Sequence, residues 1–429
     1  MTTVPLNLLD ELYLNLDRET EPWTVHYELR LSTHLDAARV ATAVVAAARR
    51  HPLARARLMS WSFQDRAYDW EIVDELDDVP LTVVICEDDR ALRETRERLF
   101  SESPSLVTAP PFTLVLARRT DGDSLLLNLH HAAGDGISAE RFVLSIMRAY
   151  TGQDDPVPSL DPLTVHDVQH LAAARSVREA LARRRALLAG YRRLASPVAR
   201  VALDGGDGRP AYGFETFALS AEESRLLFTG HPRSTTVNDV LLAGLAVAIR
   251  RWNTDHGWPD RPIALSMPVN LRPPEWRLEI FSNFASWVTV WICPQPDEDV
   301  AAVVARVANR TGAIKRDGLG GLAVDILRVP GRMMIAAKRW LQYMQPVTGN
   351  TFVDTASLSN LGSVEAPPLF DTATGAVWFS PPSQMPLGVG VGVVTLGGRL
   401  YVTLRYRHAQ FDGSAARRFA ELYRSVLLT

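Results

Sequence analysis

Residues 25–31 (VHYELRL) alternate apolar and polar side chains, as a half-buried strand does. Over residues 35–50 (LDAARVATAVVAAARR) Ala and Val recur at helical spacing, with Ser32 or Thr33 placed to cap the helix and Pro52 to stop it. The runs 111–117 (PFTLVLA) and 124–130 (SLLLNLH) flank a turn at Asp121-Gly122-Asp123 and predict a hairpin. Beyond Gly136, residues 138–150 (SAERFVLSIMRAY) put Phe142, Ile146 and Tyr150 on one face, predicting a helix with Ser138 as its cap.

Residues 151–163 (TGQDDPVPSLDPL) are rich in Pro, Asp and Gly and read as a linker, followed by a basic helix and a Gly-rich loop at 204–210 (DGGDGRP). A second lobe is expected from about residue 211, with a helix over 237–252, a strand over 263–268 and two more over 387–396 and 399–406. The chain also echoes itself. His131, Ala132, Asp135, Gly136, Ala139, Arg141 and Phe142 match, in order, His408, Ala409, Asp412, Gly413, Ala416, Arg418 and Phe419. Each copy follows an apolar strand and precedes an amphipathic helix, which two lobes built on one plan would explain. The expected organisation is an N-terminal lobe over 1–160, a linker with the basic helix over 161–210, and a C-terminal lobe over 211–429.

At 429 residues the chain exceeds one ordinary core, and its 47% hydrophobic content can supply two or three. A net charge of -3 leaves no basic footprint for nucleic acid. Cys86 and Cys293 follow neither a zinc nor a redox spacing and are expected to be free, buried thiols of a reducing compartment. The N-terminus carries no basic region ahead of an apolar stretch, and the longest apolar run, 240–249, is about half a membrane span. A cytoplasmic monomer is the expectation.

The segment His130-His131-Ala132-Ala133-Gly134-Asp135-Gly136 lies where a strand enters a helix. Adjacent strand residues point to opposite faces, so the two histidines cannot both line one cleft. A neutral imidazole, with a pKa of about 6.5, can take a proton from a hydroxyl or amine as it attacks a thioester. The thioester is already activated, so positioning plus one general base, worth roughly 10²- to 10⁴-fold, suffices without a serine or cysteine nucleophile. Asp135 is too short to reach across a cleft and suits pairing with a buried arginine, while Gly136 lets the backbone turn sharply. Backbone N–H groups near Gly136, or Asn270 from the other lobe, are candidates to hold an oxyanion.

HHAAGDG resembles the active-site signature of the chloramphenicol acetyltransferase-like superfamily, which includes nonribosomal peptide condensation domains, wax ester synthases and polyketide-associated acyltransferases. LNLLDELYLNLD is similar to the opening of wax ester synthase-like proteins. Residues 50–55 (RHPLAR) resemble the arginine-bearing helix end of condensation domains, departing from it at Pro52 and Ala54. VNDVLLAG with Asn238 and Asp239, PVNLR at 268–272, and Ser359-Asn360-Leu361-Gly362 resemble second-lobe motifs.

The resemblance implies an α/β fold of two chloramphenicol acetyltransferase-like lobes forming a V, with the thioester entering a tunnel from one side and the acceptor from the other. His131 would be the base, supported by His130. Asp135 would pair with Arg55 or Arg57, and Arg272 would brace the loop after a strand. Ser359 and Asn360 would join Asn270 as oxyanion or tunnel residues. No bound cofactor is implied. The co-substrate would be acyl-coenzyme A or a phosphopantetheinyl carrier protein, and the acceptor a small molecule.

Other features carry plainer readings. His408 is expected to be structural, and Asn238 and Asp239 to cap a helix. His166 and His170 stand at i and i+4, a spacing that can share zinc, but Asp167 replaces the Glu of metalloproteases and no third ligand is evident, so no metal is expected. Arg175, Arg178, Arg183, Arg184, Arg185, Arg192, Arg193 and Arg200 face a single acid, Glu179. Such a run is a solvated helix, or a landing surface for an acidic carrier protein, the phosphates of coenzyme A or an anionic membrane. The expected activity is acyl transfer from a thioester to a hydroxyl or amine. The alternatives are amide formation between carrier-bound partners and, from another class, a non-catalytic binding module.

Overall fold

The computed structural model describes residues 2–108, 110–193, 197–209, 211–229, 232, 234–295, 298–341, 343, 353–364, 374–382 and 388–429. Its strands in chain order are β1 (Thr2–Pro5), β2 (Thr24–Leu31), β3 (Ala56–Leu58), β4 (Asp69–Ile72), β5 (Leu81–Ile85), β6 (Phe112–Arg119), β7 (Gly122–His130), β8 (Tyr212–Ala218), β9 (Ile263–Asn270), β10 (Ala285–Ile292), β11 (Ala356–Val364), β12 (Thr374–Ser380), β13 (Val389–Leu396) and β14 (Arg399–Arg407). They form a small sheet, β1-β4-β3, and two large ones, β12-β2-β7-β6-β5 and β10-β9-β11-β13-β14-β8.

The two large sheets share one plan. β2, β7, β6 and β5 in the first correspond to β8, β14, β13 and β11 in the second. In both, the first two pairings are antiparallel and the third is parallel. The hairpin β6–β7 leads through a loop into the helix Gly136–Thr151, and the hairpin β13–β14 leads into the helix Gly413–Leu427. Asp135 and Asp412 cap these helices with their side chains, which explains why both copies of the echo keep an aspartate before the glycine.

The predicted elements are present, with local corrections. The first helix spans Ala37–Arg50 and is capped by Asp36 rather than Ser32 or Thr33, because the Asp36 carboxylate reaches the N–H groups of Ala38 and Arg39. Ser138 does not cap its helix; it supplies an N–H to Asp135. Thr236 caps the helix Val237–Asp255 in a capping box with Asp239, while Asn238 reaches the Met267 sulfur. β2 is not half-buried. Its polar face is covered by the helix Asp89–Phe100, where Glu28 takes a bidentate pair from Arg96 at 2.7 and 2.9 Å and His26 stacks on Phe100.

Two further points differ from expectation. Cys86 is buried but Cys293 is exposed; both are free. β12 crosses from the C-terminal half and pairs with β2, so the first sheet borrows its edge from the other half of the chain. Among the described residues no helix is long and apolar enough to cross a membrane.

Candidate active site between the lobes

Three segments meet where the first sheet faces the second. β7 ends at His130; the loop from His131 to Asp135 follows; the segment between β9 and β10 closes from the other side. The N–H of His131 donates to Trp23 O at 2.9 Å, and Asn283 Nδ2 donates to His131 O at 3.0 Å. The histidine backbone is thus held from both lobes.

His131 and the helix Leu8–Leu16 line a cavity of about 360 Å³. Tyr13, on the helix Leu8–Leu16, stacks on the imidazole with ring centroids 3.9 Å apart, and its hydroxyl donates to Ala285 O. Nδ1 of His131 is buried without a hydrogen bond of good geometry, which leaves Nε2 as the nitrogen through which the ring can address the cavity. Burial pushes the His131 pKa down to about 4, against smaller opposing influences led by the negative charge of Asp135. The ring is therefore a neutral base at physiological pH.

His130 turns away from the cavity. Its Nε2 lies 3.5 Å from Asp17 and its Nδ1 accepts from the Ala132 N–H, so it shapes the turn. Burial would raise the Asp17 carboxyl, but His130, Ser103 and the Trp23 N–H outweigh it and hold it below the usual range.

Asp135 pairs with Arg272, not with Arg55 or Arg57. Arg272 Nη1 meets Oδ2 at 2.7 Å and Nη2 meets Oδ1 at 2.9 Å. The carboxylate also accepts from the N–H groups of Ser138 and Phe284, and these bonds with Arg272 overcome the cost of burial and lower its pKa. Arg55 instead donates to the carbonyls of Ala48, Val73 and Asp74, and Arg57 pairs with Glu71. Arg55 ends the short turn Pro52–Arg55 that follows the helix Ala37–Arg50, and Arg57 lies in β3.

Gly136 is needed for space. A Cβ there would stand 2.7 Å from Leu361 Cδ2 and 2.8 Å from Phe379 Cε2, so the helix start can approach β11 and β12 only without a side chain. Its φ is not in the left-handed region, so close approach rather than a sharp turn is the reason for glycine.

The tunnel candidates separate. Ser359 lines the cavity. Asn270 is exposed and accepts from the Arg272 N–H, and Asn360 accepts from Gly362 N–H at a bulge where Gly362 has φ 82°; neither lines the cavity. Tyr13, Trp23, Trp287 and Asp354, which do line it, were not singled out from the sequence. Of these only Tyr13 sits in a segment flagged by resemblance, since a stack across 118 positions leaves no periodic trace.

His408 is remote from the cavity. It lies 3.7 Å from Glu97, and its carbonyl accepts from the Asp207 N–H. Its buried environment, followed by the nearby Arg209, lowers its pKa. His166 is buried, with Nε2 2.7 Å from Asp10 and Nδ1 2.6 Å from Ser282 Oγ, whereas His170 is exposed. Among the described residues no group of acids, histidines and cysteines is arranged for a metal.

The basic helix spans Val177–Arg193. Arg183 is not on a solvated face: it is buried, bonded to Gly318 O, Ala172 O, Asp325 and Glu179. Arg175, Arg178, Arg184 and Arg185 are exposed. Arg200 lies beyond the helix and donates to the carbonyls of Val353 and Asp354.

A cavity between two lobes of one plan, with a buried histidine at its wall, defines a two-lobed α/β fold. The family model for the condensation domain matches residues 12–320. An uncharacterized protein of Mycobacterium tuberculosis is 36% identical over 439 residues, covering 100% of this chain and 99% of its own. The first condensation domain of the calcium-dependent antibiotic synthetase, in complex with a substrate analogue, superimposes with a TM-score of 0.71 at 16% identity, covering 100% of this chain and 96% of its own. The SgcC5 protein of Streptomyces globisporus gives 0.67 at 17% identity, with 99% and 97% covered. The epimerization domain of tyrocidine synthetase B gives 0.67 at 18%, with 100% and 95% covered. The chain belongs to the condensation-domain family, a family of acyl and peptidyl transferases.

Proposed function

We propose that the protein transfers an acyl group from a thioester to a hydroxyl or amine, with His131 as the general base. The observation that carries this reading is the neutral imidazole of His131, stacked by Tyr13 and open through Nε2 to a cavity between the lobes. The base takes the proton of the attacking group as the carbonyl carbon is attacked, and the thiolate leaves. As the ring becomes charged, the nearby Asp135 carboxylate favours the imidazolium. Gly136, where the helix N-terminus meets the cavity, and Ser359 are the candidates to face the oxyanion.

Membership of the condensation-domain family favours a carrier-bound thioester over coenzyme A, and amide formation between carrier-bound partners is the narrower reading it supports. The intact catalytic segment, with His131 in the cavity wall, argues against a module that only binds. Incubating the protein with acyl-carrier and acyl-coenzyme A thioesters and a panel of amines and alcohols tests the reading by intact-mass detection of acylated acceptor. Product that forms equally well with His131→Ala would refute it.

A further inference from the structure

The cavity is graded along its length. At the His131 end Tyr13 stacks on the imidazole and on Trp23, and Phe379 meets Gly136; Trp287 lines the cavity further along β10, between Ala285 and Thr289. That end is fixed at Ala285, whose carbonyl takes the Tyr13 hydroxyl. Four residues further along β10 the lining changes to Thr289, and four residues of antiparallel strand span roughly 14 Å.

At that distance three neighbouring strands place hydroxyls side by side. Thr289 of β10 is in register with Ser266 of β9, and Ser266 with Ser357 of β11; all three line the cavity. Asp354 stands beside them, just ahead of β11, and its carboxylate accepts from Thr289 Oγ1 at 3.0 Å. Ser357 Oγ is buried with no hydrogen-bond partner. Arg200 donates to the carbonyls of Val353 and Asp354, and its charge favours the Asp354 carboxylate from beyond salt-bridge distance.

A carboxylate inside a cavity, held by one hydroxyl and beside an unsatisfied second, costs free energy unless a ligand supplies a positive charge. Burial pushes the Asp354 pKa up to about 6, against smaller opposing influences from the Thr289 hydroxyl and the Arg200 charge. We infer that Asp354, with Thr289, Ser266 and Ser357, forms a recognition site for an alkylammonium group of the substrate, set roughly 14 Å along β10 from Ala285, where Tyr13 is anchored beside His131. The hydroxyls take up the remaining N–H donors, and the apolar stretch between Trp287 and Phe379 holds the connecting hydrocarbon. The inference rests on the cavity being the reaction chamber, and it narrows the substrate to one that carries a second, unreacted amine.

The competing N–H donor for this site is the amide of a pantetheine arm, which is uncharged. Titration calorimetry at pH 7.5 with octylammonium, 1-octanol and pantetheine, on the whole protein, separates them. Octylammonium should bind at least about tenfold more weakly to Asp354→Asn than to the parent, with the affinity for 1-octanol unchanged. Thr289→Val should weaken octylammonium in the same sense, which keeps the test open if Asp354→Asn fails to fold. In a His131→Ala background acyl transfer should be lost while adding Asp354→Asn still weakens octylammonium, so loss of the site and loss of acyl transfer are read separately. Equal octylammonium affinity in parent and Asp354→Asn, no octylammonium binding at all, or dependence on Asp354 confined to pantetheine would each overturn the inference.

Discussion

Arg272 lays its guanidinium across both oxygens of Asp135, at 2.7 and 2.9 Å, and so ties the start of the first lobe's helix to the segment that follows β9. The same arginine donates to Ser282 O and to Ser138 Oγ and sits over the Phe284 ring. Its side chain is fully buried. The loop that carries His131 is therefore braced by a charge that has no other acid to meet among the described residues.

Removing one partner of this pair leaves the other charge buried. Asp135→Ala should destabilise the protein by about 3 to 5 kcal/mol. Adding Arg272→Met to Asp135→Ala should recover part of that loss, because the stranded charge goes with it. Melting and denaturant curves on the two variants check this; equal stability of the single and double variants would show that the pair is not what braces the loop.

His131→Ala should lower kcat by at least about a hundredfold at nearly unchanged melting temperature. Because burial holds His131 near 4, protonation silences it only below that pH, so kcat/KM should stay level from neutrality and fall through about 4. Stability should decline as pH drops from 6.5 towards that value, since the unfolded chain takes a proton that the folded site refuses. Tyr13→Ala admits water to the ring, and the acid limb of kcat/KM should then move upwards.

Gly136→Ala places a methyl group against Leu361 and Phe379. Overpacking of this kind costs roughly 1 to 3 kcal/mol and here also pushes the lobes apart at the cavity. The expected result is a lower melting temperature together with reduced kcat/KM. A variant that melts and turns over like the parent would mean that β11 and β12 yield at no cost.

The exposed and buried arginines of the basic helix should behave differently. Arg183→Glu should lower stability, as it sets an acid against Asp325 and two carbonyls in a buried site. Arg184→Glu with Arg185→Glu should leave the melting temperature alone. If these residues receive an acidic carrier, the double variant should slow donor association and flatten its salt dependence with saturated kcat retained. Donor kinetics measured at two ionic strengths decide between docking and a solvated face.

His408→Ala should cost a modest amount of stability and keep most activity, because His408 lies at the end of β14 against Glu97 and away from the cavity. Turnover lost in this variant but kept in His131→Ala would reverse the roles of the two loops.

The strand and helix units, the duplicated loop and the separation of His131 from His130 were legible in the sequence, because periodicity, capping and a seven-residue motif are local. Even the corrections there are small: Asp36 replaces Ser32 or Thr33 as a cap and Asp135 replaces Ser138, since each aspartate directly precedes its helix and its carboxylate reaches the free N–H groups of the first turn. What tertiary structure decided is of longer range. Arg272 reaches Asp135 over 137 positions, and nothing in the spacing distinguishes it from Arg55 or Arg57, which are nearer in sequence. The reason for Gly136 is Leu361 of β11 and Phe379 of β12, the latter on the strand that crosses from the other half of the chain. Tyr13 over His131, and the hydroxyls of Thr289, Ser266 and Ser357 in one row, depend on sheet register and lobe packing. Local patterns specify which face of an element is apolar; which distant side chains then share a cavity follows only when those faces are packed together.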